Sequence, residues 1–266
     1  QTLEQYIFIH KAILETIMYG MNEVDSCKIQ EEVDQLAEIK ASGLTGFQEK
    51  FKTLSEASPT RSPEECIAAL LEGNSSKNRN TNICPDESNR VLLQYVDGVK
   101  NSDYINAVFV HSYLKRNFFI ATQSPLSNTI DDFWRLVYSQ KSSAIVLLNV
   151  VKDGTTFPRF WPTDIGTPTQ YGNLTVQLES EQESGEIWTR KLVLASNPDL
   201  LDGQDVNIFH YTKWPNHRVP PDACGVIKLT LLVENLRKNY GHGPIIVVCS
   251  DGAGRTGTYI AISNLL

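Results

Sequence analysis

Residues 245–257 combine the residue types that could do chemistry in this sequence. Residues 245–248 are β-branched and apolar, which predicts a buried strand, and Cys249 stands where that strand should end. A glycine-containing loop follows, and a helix is predicted from Arg255 onward. A loop between a strand and a helix N-terminus directs successive N–H groups into one concavity, which suits a tetrahedral dianion.

Each side chain of this segment has an expected role. The helix field favours the thiolate of Cys249, which would act as the nucleophile. The planar fork of Arg255 could hold two oxygens of the same anion, and Thr256 offers a hydroxyl beside the sulfur. The remaining residues expected to line the anion cradle are Ser250, Asp251, Gly252, Ala253 and Gly254. The chemistry implied is thiolate attack on a phosphate monoester. The alternative is a buried structural cysteine at a strand end, for which Gly-x-Gly-Arg is unnecessary.

Composition excludes several other classes of protein. The chain has 266 residues, enough for one large domain or a domain plus a fragment, with 41% hydrophobic and 21% charged residues, as in ordinary globular proteins. A net charge of −7 disfavours a nucleic-acid partner. The five cysteines are odd in number and scattered, which favours a reducing compartment. Because there is no CxxC pair or clustered His/Cys spacing, we expect no metal and no cofactor.

The hydrophobic pattern changes from helices to mixed elements along the chain. Helices are predicted at 4–20, 28–40, 47–54, 62–71, 127–138, 222–239 and 255–266. Strands are predicted at 90–94, 105–112, 118–122, 144–151, 169–178, 187–195, 205–211 and 245–248. Strands with interposed helices predict an α/β domain with a mixed sheet.

A series of motifs carries a family resemblance. They occupy residues 77–79, 103–107, 119–126, 129–134, 160–162 and 214–217, followed by the Cys249 loop. In this order they resemble the tandem-domain receptor-type protein tyrosine phosphatases. The resemblance implies the cysteine-dependent tyrosine-phosphatase fold, a central twisted mixed sheet flanked by helices and C-terminally truncated here. It also implies hydrolysis of phosphotyrosine through a phosphocysteine intermediate.

The resemblance further implies how the chain is organised. Residues 1–20 look like the C-terminal end of a first phosphatase domain, 21–46 like a helical linker, and 47–266 like an incomplete second, membrane-distal domain. The chain would then be a fragment from the cytoplasmic portion of a single-pass membrane receptor. Its transmembrane segment would lie outside the fragment.

Several positions depart from the family pattern. Asn216 stands where the family has the aspartate that acts as general acid, and losing a placed acid costs about 10²–10⁴ in rate. Asn80 replaces the aromatic residue that packs on the phosphotyrosine ring, and Asn82 replaces an aspartate that grips the substrate backbone. Val248 replaces a histidine beside the nucleophile, and Asp251 adds a negative charge within the loop; both changes oppose a thiolate. Sequence drift could explain each change singly, but they are concentrated in one catalytic apparatus.

These observations leave three hypotheses for function. The first is a regulatory pseudophosphatase domain that contacts its own first domain, a dimer partner or phosphotyrosine proteins. The second is a slow but genuine tyrosine phosphatase that uses Cys249. The third is a phosphotyrosine-binding module that captures without cleaving, which Asp251 disfavours.

Overall fold

The computed structural model describes residues 24–58, 62–151, 156–240 and 243–266. The chain forms two compact units that divide between Arg61 and Ser62. In the first unit, a 3₁₀ turn at Ser26–Lys28 leads into α1 (Ile29–Ala37), and α2 (Gly46–Ala57) follows. The predicted helix at 4–20, and with it the expected end of a first domain, lies outside the described residues.

The second unit, Ser62–Leu266, is built on a nine-stranded sheet. The strands are β1 (Arg90–Leu92), β2 (Tyr104–Val110), β3 (Phe119–Gln123), β4 (Ala144–Leu147), β5 (Pro168–Tyr171), β6 (Leu174–Ser184), β7 (Ile187–Ala195), β8 (Gln204–Tyr211) and β9 (Ile245–Cys249). Their order is β1-β2-β3-β9-β4-β8-β7-β6-β5. The central strands β3, β9, β4 and β8 are parallel, and the outer pairs are antiparallel. The predicted α/β fold with a mixed sheet is therefore confirmed.

Helices cover both faces of this sheet. They are α3 (Ile67–Leu70), α4 (Glu72–Ser75), α5 (Ile130–Ser139), α6 (Ala223–Tyr240) and α7 (Gly254–Leu265). Side chains of α5 share one core with Ile246 and Val248, whereas side chains of α6 and α7 share the other with Ile245 and Val247. Alternate residues of β9 thus enter opposite cores, which explains why its sequence is continuously apolar.

Two predicted elements are divided in the structure. The strand predicted at 169–178 is a hairpin, because Gly172 has a φ of 58° and forms a tight turn with Asn173 between β5 and β6. The helix predicted at 62–71 is a 3₁₀ turn at Pro63–Cys66, which has a capping box at Ser62, followed by the separate short helices α3 and α4.

The positions of these helices and strands do not establish the predicted domain boundaries. The helix α2 belongs to the first compact unit, although the sequence places it at the start of a second domain. The linker at 21–46 and the second domain at 47–266 stay predictions.

The parallel strands bring four chain segments to one edge of the sheet. Parallel strands have their carboxyl ends at the same edge, and ligand sites of such sheets form there. The segments that leave β3, β4, β8 and β9 begin at Ser124, Leu148, Thr212 and Ser250. Of the residues predicted to do chemistry, Asn216, Cys249 and Arg255 lie at this edge.

A buried histidine lies near the same edge. His210 Nε2 donates to the carbonyl oxygen of Asn149 at 2.8 Å, and its Nδ1 lies 3.2 Å from Nη1 of Arg190. The Arg190 guanidinium can only donate, so the ring is neutral with its proton on Nε2. Burial, with the charge of Arg190, lowers the pKa of His210 to about 4.

We expect His210 to make the second unit less stable in mild acid. Its folded pKa of about 4 is lower than the ordinary 6.5, so between these values only the unfolded chain takes up the proton. The free energy of unfolding contributed by this group is complete above pH 6.5 and falls by about 2 kcal/mol at pH 5. Urea unfolding of wild type and His210→Gln at pH 7.5 and pH 5 measures the difference. The exposed His217→Gln variant is the control. An equal pH dependence in wild type and His210→Gln would refute the assignment.

Candidate active site

Cys249 lies at the end of β9, where hydrogen bonds from the segments that follow the adjacent strands β3 and β4 hold the backbone. Its side chain is 1% exposed and belongs to the core that α6 and α7 cover. Its carbonyl oxygen accepts a hydrogen bond from Ser124 N at 2.7 Å. On the other side, the carbonyl of Val248 accepts from Leu148 N at 2.9 Å. The position of the sulfur is therefore set by the segments that follow β3 and β4.

The loop after Cys249 requires a glycine at position 252. Gly252 has a φ of 76°, a conformation that L-residues rarely adopt. A Cβ atom there would lie 2.6 Å from the carbonyl carbon of Thr122 and 2.7 Å from Gln123 N. Because the obstacle is the backbone of β3, it cannot move aside easily. The loop thus lies directly against β3 before α7 begins at Gly254.

The carboxylate of Asp251 lies beside the sulfur. Its Oδ1 accepts a hydrogen bond from Ala253 N at 3.2 Å, and the Cys249 thiol donates to the same oxygen across 3.6 Å. Ala253 is the residue preceding α7, so its N–H belongs to the positive end of that helix. One carboxylate oxygen therefore contacts both the sulfur of the expected nucleophile and a backbone N–H that is expected to donate to a bound anion.

Arg255 connects the loops around the site. Its Nη1 donates to the carbonyl oxygens of Leu148 at 2.9 Å and Trp214 at 3.0 Å. Its Nη2 donates to Ser250 Oγ at 3.1 Å and to Asn216 Oδ1 at 3.2 Å. With the side chain only 8% exposed, these bonds fix the guanidinium between three segments of chain.

Asn216 faces the cradle from the segment that follows β8. Its Oδ1 accepts from Arg255 and also from Ser250 Oγ, the latter at 3.3 Å. At the start of this segment, Trp214 Nε1 donates to the carbonyl oxygen of Arg218 at 2.9 Å, so that Asn216 lies in a turn between these two residues. The residue at the expected acid position is thus in contact with the cradle, but as a carboxamide.

The other predicted site residues are placed differently. Thr256 is fully buried, and its Oγ1 has no hydrogen-bond partner among the residues that the structure describes. Asn80 and Asn82 form a local turn, in which Asn82 N donates to Asn80 Oδ1 at 3.0 Å. In the described part of the chain, no hydrogen bond joins these two side chains to the Cys249 loop. Their roles toward a substrate stay predictions.

Arg79 is a residue of this site that sequence reasoning missed. Its Nη2 donates to the carbonyl of Ser124 at 3.0 Å, and its guanidinium carbon lies 4.5 Å from the ring centroid of Phe157. Burial lowers the pKa of Arg79, while the charge of Asp251 acts in the opposite direction. The available signal was its place in the motif at 77–79, directly before Asn80.

An open cleft of about 500 Å³ lies beside Arg255, Ser250 and Asn216. It is lined by Trp214, Asn216, His217, Arg218, Val219, Pro220, Ser250, Asp251, Gly254, Arg255, Thr258 and Ile262. Within the described ranges, no group of three His, Cys, Asp or Glu side chains could hold a metal ion. Cys249, the N–H group of Ala253 and the guanidinium of Arg255 lie around one position, where Asp251 and Asn216 already make contacts.

Comparison with known proteins decides the family. The family described as protein-tyrosine phosphatase matches residues 74–266. The chain belongs to the protein-tyrosine phosphatase family. It is similar over its full length to receptor-type tyrosine-protein phosphatase alpha of Homo sapiens at 34% identity, to epsilon of Mus musculus at 35%, and to S of Gallus gallus at 36%.

The chain matches only part of the length of each of these relatives. The chain spans 33% of the human alpha phosphatase, 38% of the mouse epsilon phosphatase and 18% of the chicken S phosphatase. It therefore corresponds to a third or less of most of these relatives. The expected resemblance to receptor-type tyrosine phosphatases is confirmed.

The conformation of the cradle can be tested by a pair of glycine variants. We expect Gly252→Ala to lower the free energy of unfolding by at least about 2 kcal/mol, because it combines a positive φ with a backbone clash. Gly257→Ala is the matched control: that glycine lies in α7 with nothing within 4 Å of an added Cβ. At position 257, alanine should raise the free energy of unfolding by about 0.5–1 kcal/mol. Chemical denaturation measures both, and equal effects would contradict the described loop.

Proposed function

We propose that the second unit is a regulatory phosphatase domain of a receptor-type tyrosine phosphatase, with weak or no hydrolytic activity of its own. The observation that supports this most is Asn216, a carboxamide bonded to Arg255 and Ser250 at the position expected for the general acid. The loops that would bind a phosphate are folded, but the expected acid position holds no group that could protonate the leaving tyrosine oxygen.

The proposed reaction shows why that group matters. Sulfur attacks phosphorus, the S–P bond forms, and the P–O bond to the tyrosine oxygen breaks. The phenolate that leaves needs a proton, and displacement in line places it on the side of phosphorus opposite the sulfur. A carboxamide cannot supply that proton. Water would then hydrolyse the phosphocysteine.

Asp251 does not replace the missing acid. Its carboxylate lies 3.6 Å from Cys249 Sγ, which is the side of the attacking sulfur rather than of the leaving oxygen. Its negative charge also repels an incoming dianion. This carboxyl group beside the nucleophile therefore works against the reaction.

A slow tyrosine phosphatase is the second candidate function. It is favoured by the retained Cys249 and by Arg255, which lies within the cradle. Phosphate esters with good leaving groups need little protonation, so a small activity that depends on Cys249 fits this arrangement. A module that only binds phosphotyrosine ranks third because of the Asp251 carboxylate.

The remaining assignments are part of the proposal and rest on similarity to receptor-type relatives. We propose that residues 1–20 end a first phosphatase domain, 21–46 link the domains and 47–266 form the second. The chain would belong to the cytoplasmic portion of a single-pass receptor. Its partners would be phosphotyrosine proteins, its own first domain or a second copy, and the contacts of Asp251 and Asn216 within the cradle favour the last two. In the described part of the chain, no helix is long and apolar enough to cross a bilayer.

Turnover by the wild-type chain tests the proposal directly. We expect a phosphotyrosine peptide to be hydrolysed at the same background rate by wild type and Cys249→Ser. With p-nitrophenyl phosphate, whose leaving group is good, a small difference between them would identify the slow enzyme. A kcat near the enzyme median of about 10 s⁻¹ on the peptide, abolished in Cys249→Ser, would refute the proposal.

Restoring the acid should restore turnover selectively. In an Asp251→Ala background, we expect Asn216→Asp to raise kcat/KM for the phosphotyrosine peptide by about 10²-fold. The gain on p-nitrophenyl phosphate should be much smaller, since that product leaves without a proton. Asn173→Asp, the same change at an exposed turn, is the control. Equal gains on both substrates would show that Asn216 does not mark the acid position.

A further inference from the structure

We infer that the anion cradle binds its own protein chain: the Asp251 carboxylate and the Asn216 carboxamide take the positions of phosphate oxygens. The pair would thereby determine the ligand specificity of the site by excluding free phosphate and phosphotyrosine. This inference rests on the proposed function, because it assumes that the Cys249 loop is the family's phosphate loop.

Asp251 occupies donors of the loop that an anion would use. An oxyanion in a loop of this kind accepts from backbone N–H groups at the start of the helix, next to the sulfur. Asp251 Oδ1 makes both contacts, at 3.2 Å from Ala253 N and 3.6 Å from Cys249 Sγ. A carboxylate oxygen resembles a phosphate oxygen in charge and acceptor geometry. A second anion at this position would have to displace it.

The terminal donors of Arg255 are occupied as well. Each terminal nitrogen of a guanidinium carries two N–H groups. Nη1 donates to the carbonyls of Leu148 and Trp214, and Nη2 donates to Ser250 Oγ and Asn216 Oδ1. Every terminal N–H of Arg255 thus has an acceptor within the protein. A phosphate that binds through Nη2 has to displace Asn216 Oδ1 or Ser250 Oγ, whichever other guanidinium nitrogen it also contacts.

The charge of Asp251 also disfavours a second anion in the cradle. A dianion would be placed against the carboxylate of Asp251, and repulsion between like charges is strong in a site partly shielded from water. Arg79 already interacts electrostatically with Asp251, so this internal anion has a cation nearby. Asn216 is exposed and can be displaced at low cost, whereas Asp251 is half-buried. Asp251 is therefore the stronger determinant of exclusion.

Binding of inorganic phosphate and of tungstate to the full chain tests the inference without requiring turnover. We expect Asp251→Ala to bind either anion at least tenfold more tightly than wild type in isothermal titration calorimetry. Asp251→Asn, which keeps the shape and removes the charge, should gain part of this affinity. Asp199→Ala removes the same charge at an exposed position and should change nothing.

The outcomes separate this inference from the proposed function. If wild type and Asp251→Ala bind the anions equally, the cradle is not occupied by Asp251, although the absence of peptide turnover could still hold. If instead wild type hydrolyses the peptide rapidly, the proposed function fails whatever the calorimetry shows. Thermal melts establish that each variant is folded. Should Asp251→Ala not fold, Asp251→Asn alone decides: unchanged affinity would overturn the inference.

Discussion

The site depends on the hydrogen bonds made by the Arg255 guanidinium. A buried cation needs acceptors on every side, because an unsatisfied charged group away from water is costly. Here the acceptors come from the end of β4, from the segment after β8 and from the loop that contains Ser250. These segments join different strands, so Arg255 fixes their positions relative to one another. The cradle keeps its shape through this residue whether or not it is ever used for chemistry.

The departures from the family pattern that we infer from the sequence spare that framework and lie at groups that would meet a substrate. Gly252 and Arg255, which fit the loop against β3 and connect its neighbours, are of the residue types that the geometry requires. Asn216 and Asp251 are the residues whose side chains reach into the cradle itself. Under the proposed function, such a domain retains a folded surface for contact with partners while its chemistry is weakened. That combination suits a regulatory role.

Much of this could be predicted from sequence because the signals were local. Four β-branched residues before Cys249 predicted β9, and the glycines after it predicted the loop. The division between β5 and β6 was missed, since a single Gly172 inside a β-prone run marks a turn only through its positive φ. Side-chain partners were harder still. Arg255 was expected to face an anion, but its acceptors come from residues 148 and 214, whose proximity only the folded sheet creates. The contacts of Arg79 with the segment after β3 arise in the same way.

The central claim is that a complete cradle is filled by side chains of its own chain. A crystal structure of the wild-type chain grown with tungstate, at neutral pH, tests it most directly, because the heavy anion is unmistakable in anomalous maps. The account predicts no tungstate at the Cys249 loop, with Asp251 Oδ1 next to the sulfur and Asn216 Oδ1 bonded to Arg255. Tungstate bound between the Ala253 N–H and Arg255, with both side chains turned away, would contradict it.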